Sequence, residues 1–201
     1  MRSFWWLISG VLLLIRVTDV SAFTVNGAEN SAVISSNGGH EAFPGVPIGS
    51  RVEAGTGADV CEELLLRAIR STTKEFILVT GRLANKRIAG EIASLASRKV
   101  GGPARVLLVV NKDVSDSERV LLEKILNAGG SVKMIDSQVD QAFAVMDGRH
   151  VLVGGSSVLQ ASGTRAAPIT SLVLVWNDDS AAHKYLEQWA EIWRKAREER
   201  S

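Results

Sequence analysis

The chain contains one cysteine, Cys61, so no disulfide can form within it. That removes the covalent staple on which small exported domains commonly rely. Cys61 sits in a helical pattern beside Leu64 and Leu65 and reads as a small buried apolar residue. An intermolecular disulfide or a lipid attachment are the alternatives, but a lipoprotein would carry its cysteine at the cleavage point. An excess of either charge is also missing: 23 basic and 22 acidic residues leave a formal charge of +1. Such a balance argues against a general nucleic-acid binder, because neutralising phosphates supplies most non-specific affinity. It leaves room for a local basic patch. There is no internal repeat.

The apolar run Phe4–Ile15 has 12 residues and is closed by Arg16. A bilayer needs about 20. With Arg2 before it and "RVTDVSA" after it, the run has the form of a secretory signal, and Val20 and Ala22 stand at the spacing a signal peptidase reads. The expectation is cleavage after Ala22, with an uncleaved inner-membrane anchor as the alternative. Residues 1–22 hold Arg2, Arg16 and Asp19, so the mature chain of 179 residues would carry 21 basic and 21 acidic side chains. That length suffices for one domain with a sizeable core.

Residues 23–55 are rich in Gly, Ser, Asn and Pro and read as a flexible lead-in, with short extended pieces near Ala32–Ile34 and Val46–Ile48. His40 falls here and reads as solvated. Regular structure is expected over 56–201, as a single domain. Thr56-x-x-Asp59 has the form of a capping box and opens the helical "ADVCEELLLRAIRS". Glu75–Thr80 reads as a buried strand, Asn85–Lys99 as a helix closed by Gly101-Gly102-Pro103, and Arg105–Val110 as a second apolar strand. Ser115-x-x-Glu118 is another capping box, before a helix closed by Gly129-Gly130. Ser131–Ile135 follows as a strand, then a hairpin of Ala142–Asp147 and His150–Val153, then the strand Ser171–Trp176. The last helix spans about Ser180 to Glu199, with Tyr185, Trp189, Trp193 and Ala196 on one face and Leu186 and Ile192 flanking them. The alternation predicts an α/β fold, an α-β-α sandwich whose mixed, largely parallel sheet carries helices on both faces.

Three segments together resemble the phospholipase D superfamily. They are "AIRSTTKEFILVTGRLANKRIAGEIASLASRKVGGPARVLLVVN", "FAVMDGRHVLVGGSS" and "SLVLVWNDDSAAHKYLEQWAEIWRKAREE". Their order and spacing are most similar to the small, secreted, single-motif endonucleases of the Nuc type, often carried on conjugative plasmids. The resemblance covers Thr56–Arg200. The family signature is His-x-Lys-(x4)-Asp, then six residues and Gly-Ser-x-Asn. Asp147 and Gly154 fit it. The His position holds Asp140, the Lys position Ala142, the Ser position Gly155 and the Asn position Ser157, while a supporting Glu falls near Thr170.

The resemblance implies a reaction in which a His attacks phosphorus, a second His protonates the leaving oxygen, and Lys and Asn hold the phosphate oxygens. Nuc-type members obtain two motifs by dimerising. Such chemistry needs an available nucleophile and preorganised donors. Ala142 has no donor, and a carboxylate at 140 repels a phosphodiester. Three rescues come into view: Asp140 as nucleophile, a metal between Asp140 and Asp147, or His150 moved into the role. The metal has a thin ligand set, and His150 reads as a hairpin residue. Gly154, Gly155, Ser156 and Ser157 form a tight loop that could cradle an anion through backbone N–H groups. Arg82, Lys86 and Arg87 stand where a phosphate-binding mouth would lie, or else form a solvated helix start. The Trp-rich stripe reads as core or dimer packing, with base stacking as the alternative.

The expectation is therefore a degenerate member with no intact catalytic site, no cofactor and no metal. It would be a homodimer in the periplasm of a Gram-negative bacterium, with a structural or regulatory role and conjugation or type IV secretion proteins as partners. The alternatives are a phosphodiesterase with a rearranged site, acting on DNA or phospholipid, and a non-catalytic module for DNA or anionic lipid.

Overall fold

A computed structural model describes residues 31–35, 51–56, 58–139, 141–155 and 171–198. The strands are β1 (Ser31–Ser35), β2 (Arg51–Thr56), β3 (Glu75–Thr80), β4 (Arg105–Asn111), β5 (Ser131–Ile135), β6 (Gln141–Met146), β7 (His150–Gly155), β8 (Ser171–Trp176) and β9 (Arg197–Glu198). The helices are α1 (Ala58–Ser71), α2 (Lys86–Ala96), α3 (Asp116–Asn127) and α4 (Asp179–Lys195). All nine strands join one sheet in the order β1-β2-β8-β7-β6-β3-β4-β5-β9.

The central strands are apolar along their middles because both of their faces are covered. Phe76, Leu78, Val106, Leu108, Ala144 and Met146 face a core shared with α1, α2 and α3. The alternate residues Ile77, Val79, Leu107, Val109, Phe143 and Val145 face a second core, closed by α4 through Tyr185, Leu186, Trp189, Ile192 and Trp193. The period of two along each strand delivers successive side chains to opposite layers. The Phe143 and Tyr185 rings meet at 5.0 Å. Cys61 is buried in the first core, its thiol 3.4 Å from the Gly55 carbonyl oxygen, and burial pushes its pKa up.

Local sequence sets most helix starts. Asn85 caps α2, its side-chain oxygen accepting from the N–H groups of Arg87 and Ile88. Ser115 and Glu118 form the reciprocal box at α3 that their spacing predicts. Asp178 caps α4 by accepting from the Ala181 N–H at 2.8 Å.

The α/β class, the mixed sheet and the helices on both faces are as expected. The predominance of parallel pairing is not. Parallel pairs are confined to β3-β4 and β4-β5, and the remaining pairings are antiparallel. A parallel pair needs a helical crossover, and α2 and α3 supply one each. After β5, β6 and β7 form a hairpin and so pair in the opposite sense.

Two boundaries also differ. Arg51–Thr56 was expected to lie mostly in the lead-in, but it forms β2 and lies along the whole of β8. Thr56 therefore ends a strand, paired with Ser171, rather than capping α1. The expected extended piece at 32–34 is β1, which pairs with β2. Val46–Ile48, His40 and the leader lie outside the described residues. At the other end α4 stops at Lys195, Ala196 is extended, and Arg197 and Glu198 pair with Met134 and Lys133. The open edge of β5 takes up the backbone groups that would have continued the helix.

Glu53 explains why β2 belongs to the domain. Its carboxylate is 3% exposed and accepts from the Trp176 indole at 2.7 Å. It also pairs with Arg51 at 2.9 Å and with Arg67 on α1. Strand, neighbouring strand and helix thus converge on one buried anion. Replacing Glu53 by Ala strands those donors and is expected to cost about 2 kcal/mol in urea unfolding. A true lead-in residue would leave the unfolding curve unmoved.

Candidate functional site

The carboxyl ends of β3, β4 and β5 point the same way, and ligands in open α/β sheets gather at that side. The antiparallel register brings the motif positions to the same end. Ala142 pairs with Gly154 and Gln141 with Gly155, while Phe143 lies opposite Val79 near the end of β3. Ala142 and Gly154 thus stand side by side at this end. Asp140, Ser156, Ser157 and Thr170 lie outside the described residues. Ala142 is 2% exposed and is part of the first core.

Asp147 does not belong to this end. It follows β6, five residues beyond Ala142, or about 17 Å at the usual strand rise. His150, opposite Met146, lies at the same far end. The described start of β6, at Gln141 and Ala142, is thus a strand's length from Asp147 and from His150. Asp147 is the far anchor of the hairpin. Its backbone is left-handed (φ 54°), a conformation Asp tolerates at turns. Its carboxylate accepts from the N–H groups of Thr73, Lys74 and Glu75 at 2.7–3.2 Å and from the Thr73 hydroxyl at 2.8 Å. Its own N–H donates to the Glu75 carbonyl oxygen at 2.8 Å. Burial pushes the carboxyl pKa up, but these donors outweigh it and hold it below the usual range.

His150 is spent on the same region. Its Nδ1 accepts from the Asn177 N–H at 3.0 Å, and its ring meets Trp176 edge-on at 4.8 Å. Burial, with Arg149 nearby, lowers its pKa and favours the neutral imidazole. The hairpin role read from the sequence is the one it fills.

The basic cluster is where expected but is not free. Arg82 donates two bonds to Glu118, from Nε at 2.9 Å and from the guanidinium terminus at 2.5 Å. Arg87 pairs with Glu62 at 3.0 Å and Glu63 at 2.8 Å. Asn85 donates to Glu62 at 2.7 Å. Only Lys86 of the three cations has no ion pair among the described residues. Carboxylates from α1 and α3 thus already engage two of the three cations. These partners were missed in the sequence. Glu118 was visible as a cap, and nothing local shows that it also binds Arg82, 36 residues earlier.

At the same sheet end, Asn111, Lys112, Asp113, Ile135, Asp136 and Gln138 line a shallow cleft beside β4 and β5. Lys112 and Asp136 pair across it at 3.1 Å. In the sheet order it lies two strands from Ala142. It therefore adds no donor at the motif.

Two measurements follow. Glu118 is 1% exposed; burial raises its pKa, but Arg82 and Ser115 bring it down to about 2, against 4.5 ordinarily. A lowered folded value means that its stabilisation is complete above pH 4.5 and is lost as pH falls toward 2. Glu118→Gln should flatten that acid limb and cost about 2 kcal/mol at neutral pH. Asp147→Asn keeps the turn geometry but loses the charge, and thermal unfolding should show a loss of about 1–2 kcal/mol.

No protein-family model and no curated protein matches the sequence. Solved structures do match the fold. Nuc from Salmonella typhimurium, a phospholipase D family member, aligns with a TM-score of 0.65 at 20% identity, over 76% of this chain and 99% of its own. NucT from Helicobacter pylori aligns with a TM-score of 0.58 at 12% identity, over 75% and 99%. TrmBL2, an archaeal chromatin protein with a novel mode of DNA binding, aligns at 0.56 and 16% identity, over 74% of this chain and 55% of its own. The sheet order, the two helical layers and these alignments agree: the chain has the phospholipase D-like fold, similar in extent to Nuc.

Proposed function

We propose that this protein is an exported, catalytically degenerate phospholipase D-like protein that serves a structural or regulatory role in the periplasm. The observation that carries the reading is Ala142. Where the resemblance asks for a cation against the phosphate, the chain has a methyl group closed into the core. Losing a single preorganised donor costs roughly 10²–10³ in rate. Arg82 and Arg87, at the same end of the sheet, are already held in ion pairs by Glu118, Glu62 and Glu63. Asp140, in place of the attacking imidazole, adds repulsion. The leader, with its 12-residue apolar run, supports export. Homodimerisation and a place in a conjugation or type IV secretion system rest on the Nuc resemblance alone.

The likeness to TrmBL2 supports a second reading, a module that binds without turnover. An enzyme with a rearranged site is the third. Incubation with bis(p-nitrophenyl) phosphate and with plasmid DNA, with and without divalent metal, separates them. No release of nitrophenol and no nicking above the buffer blank is the expected result. Turnover that disappears in Asp140→Ala would overturn the proposal. Retention on DNA without nicking would favour the second reading.

A further inference from the structure

The amino ends of β3 and β4, at the far side of the sheet from Ala142, carry several cations that have no ion pair among the described residues. Two loops meet there. Residues 72–74 lead into β3 and residues 97–104 lead into β4. The Arg98 guanidinium donates to the Thr72 carbonyl oxygen at 2.8 Å, and the Arg105 N–H donates to the Lys74 carbonyl oxygen at 2.8 Å. The two loops thus form one surface. It presents Lys74, Arg98, Lys99 and Arg105, of which Lys74, Lys99 and Arg105 are exposed. Exposed Arg149 continues it beyond Asp147.

The acids facing this surface are few, and most are engaged. Glu75 pairs with Arg105 at 3.1 Å. Asp147 is taken up by the N–H groups of 73–75. Asp178 caps α4, and Asp179 stands beside it, past Arg149. Lys74, Lys99 and Arg149 have no ion pair among the described residues. At the carboxyl end Arg82 and Arg87 are matched by glutamates, and of that cluster Lys86 alone has no ion pair among the described residues.

An apolar side chain projects from the same surface. Val100 is 86% exposed, next to Arg98 and Lys99. Gly101 and Gly102 follow with φ of 82° and 85°, and a Cβ on either would meet nothing within 4 Å. The loop therefore stands clear of the body.

We propose that this surface docks the protein on an anionic phospholipid bilayer, with Lys74, Lys99 and Arg149 over the headgroups and Val100 entering the interface. Cations near such a surface are each worth about a fivefold gain in partition. An exposed valine gains from leaving water for the acyl boundary and gains nothing from a phosphodiester backbone. That difference favours lipid over nucleic acid. The carboxyl end, with Ala142 and Gly154, would then face away from the membrane.

Vesicle flotation tests this with the mature chain. Vesicles of equimolar phosphatidylcholine and phosphatidylglycerol should carry the protein at low ionic strength, and phosphatidylcholine alone should not. Raising the salt to about 0.5 M should release it. Lys74→Gln with Lys99→Gln should weaken the partition by roughly 25-fold, and Val100→Ser should weaken it further. Removing the same charge elsewhere, through Arg194→Gln with Lys195→Gln, should leave it unchanged, and circular dichroism confirms that all variants are folded. Equal binding to neutral vesicles, no flotation, or an unaltered Lys74/Lys99 variant each overturns the proposal. So does duplex DNA retention that is lost in that variant while vesicles remain unbound. None of these outcomes bears on the turnover assay.

Discussion

The Asp147 carboxylate fixes the register of the middle of the sheet. It gathers the N–H groups of Thr73, Lys74 and Glu75, the backbone that launches β3, and so pins the turn of the β6–β7 hairpin to the start of its neighbour. A slip of one residue would turn every side chain of β6 to the wrong layer. With the turn held, Ala142, Ala144 and Met146 face the first core and Phe143 and Val145 the second. The same constraint carries Ala142 to the carboxyl end of β3. Asp147 is thus a structural anchor in this chain.

Charge is distributed by the same economy of partners. Buried carboxylates sit where elements must be joined: Glu53 links β2, β8 and α1, and Glu118 links α3 to the loop after β3. Each is held by arginine together with a neutral donor, which offsets the cost of removing it from water. The arginines near the motif are therefore committed to architecture. A chain of nearly balanced charge still has an uneven surface: Arg82 and Arg87 are matched by glutamates near the carboxyl ends of the strands, while Lys74, Lys99 and Arg149 have no ion pair among the described residues at the other end.

Much of this was legible in the residues. The continuous apolar runs of β3 and β4, the Ser115–Glu118 box and the indole spacing of α4 name their elements because each signal is local and repeats within a few residues. The central sheet and the placement of Ala142 beside Gly154 follow from them. What the sequence hid depends on distant partners. The segment 51–56 has a glutamate and two glycines within or beside it, and reads as a strand only once Trp176, Arg67 and β8 are in place. Arg82 looks available until α3 brings Glu118 across. The sense of strand pairing also depends on connections that no periodicity encodes, so a parallel sheet was overestimated.

The cover of the two sheet faces is unequal. On one side α1 leans on α2 and α2 on α3. On the other, α4 lies on β5, β6 and β7, with Trp189 Nε1 buried and unbonded among the described residues. Its two indoles lie 5.3 Å apart, with Lys133 over the outer one. Local opening follows the weakest set of contacts. The helix α4 is thus expected to detach first under mild denaturant, ahead of global melting, with its amides exchanging with deuterium soonest among the four described helices.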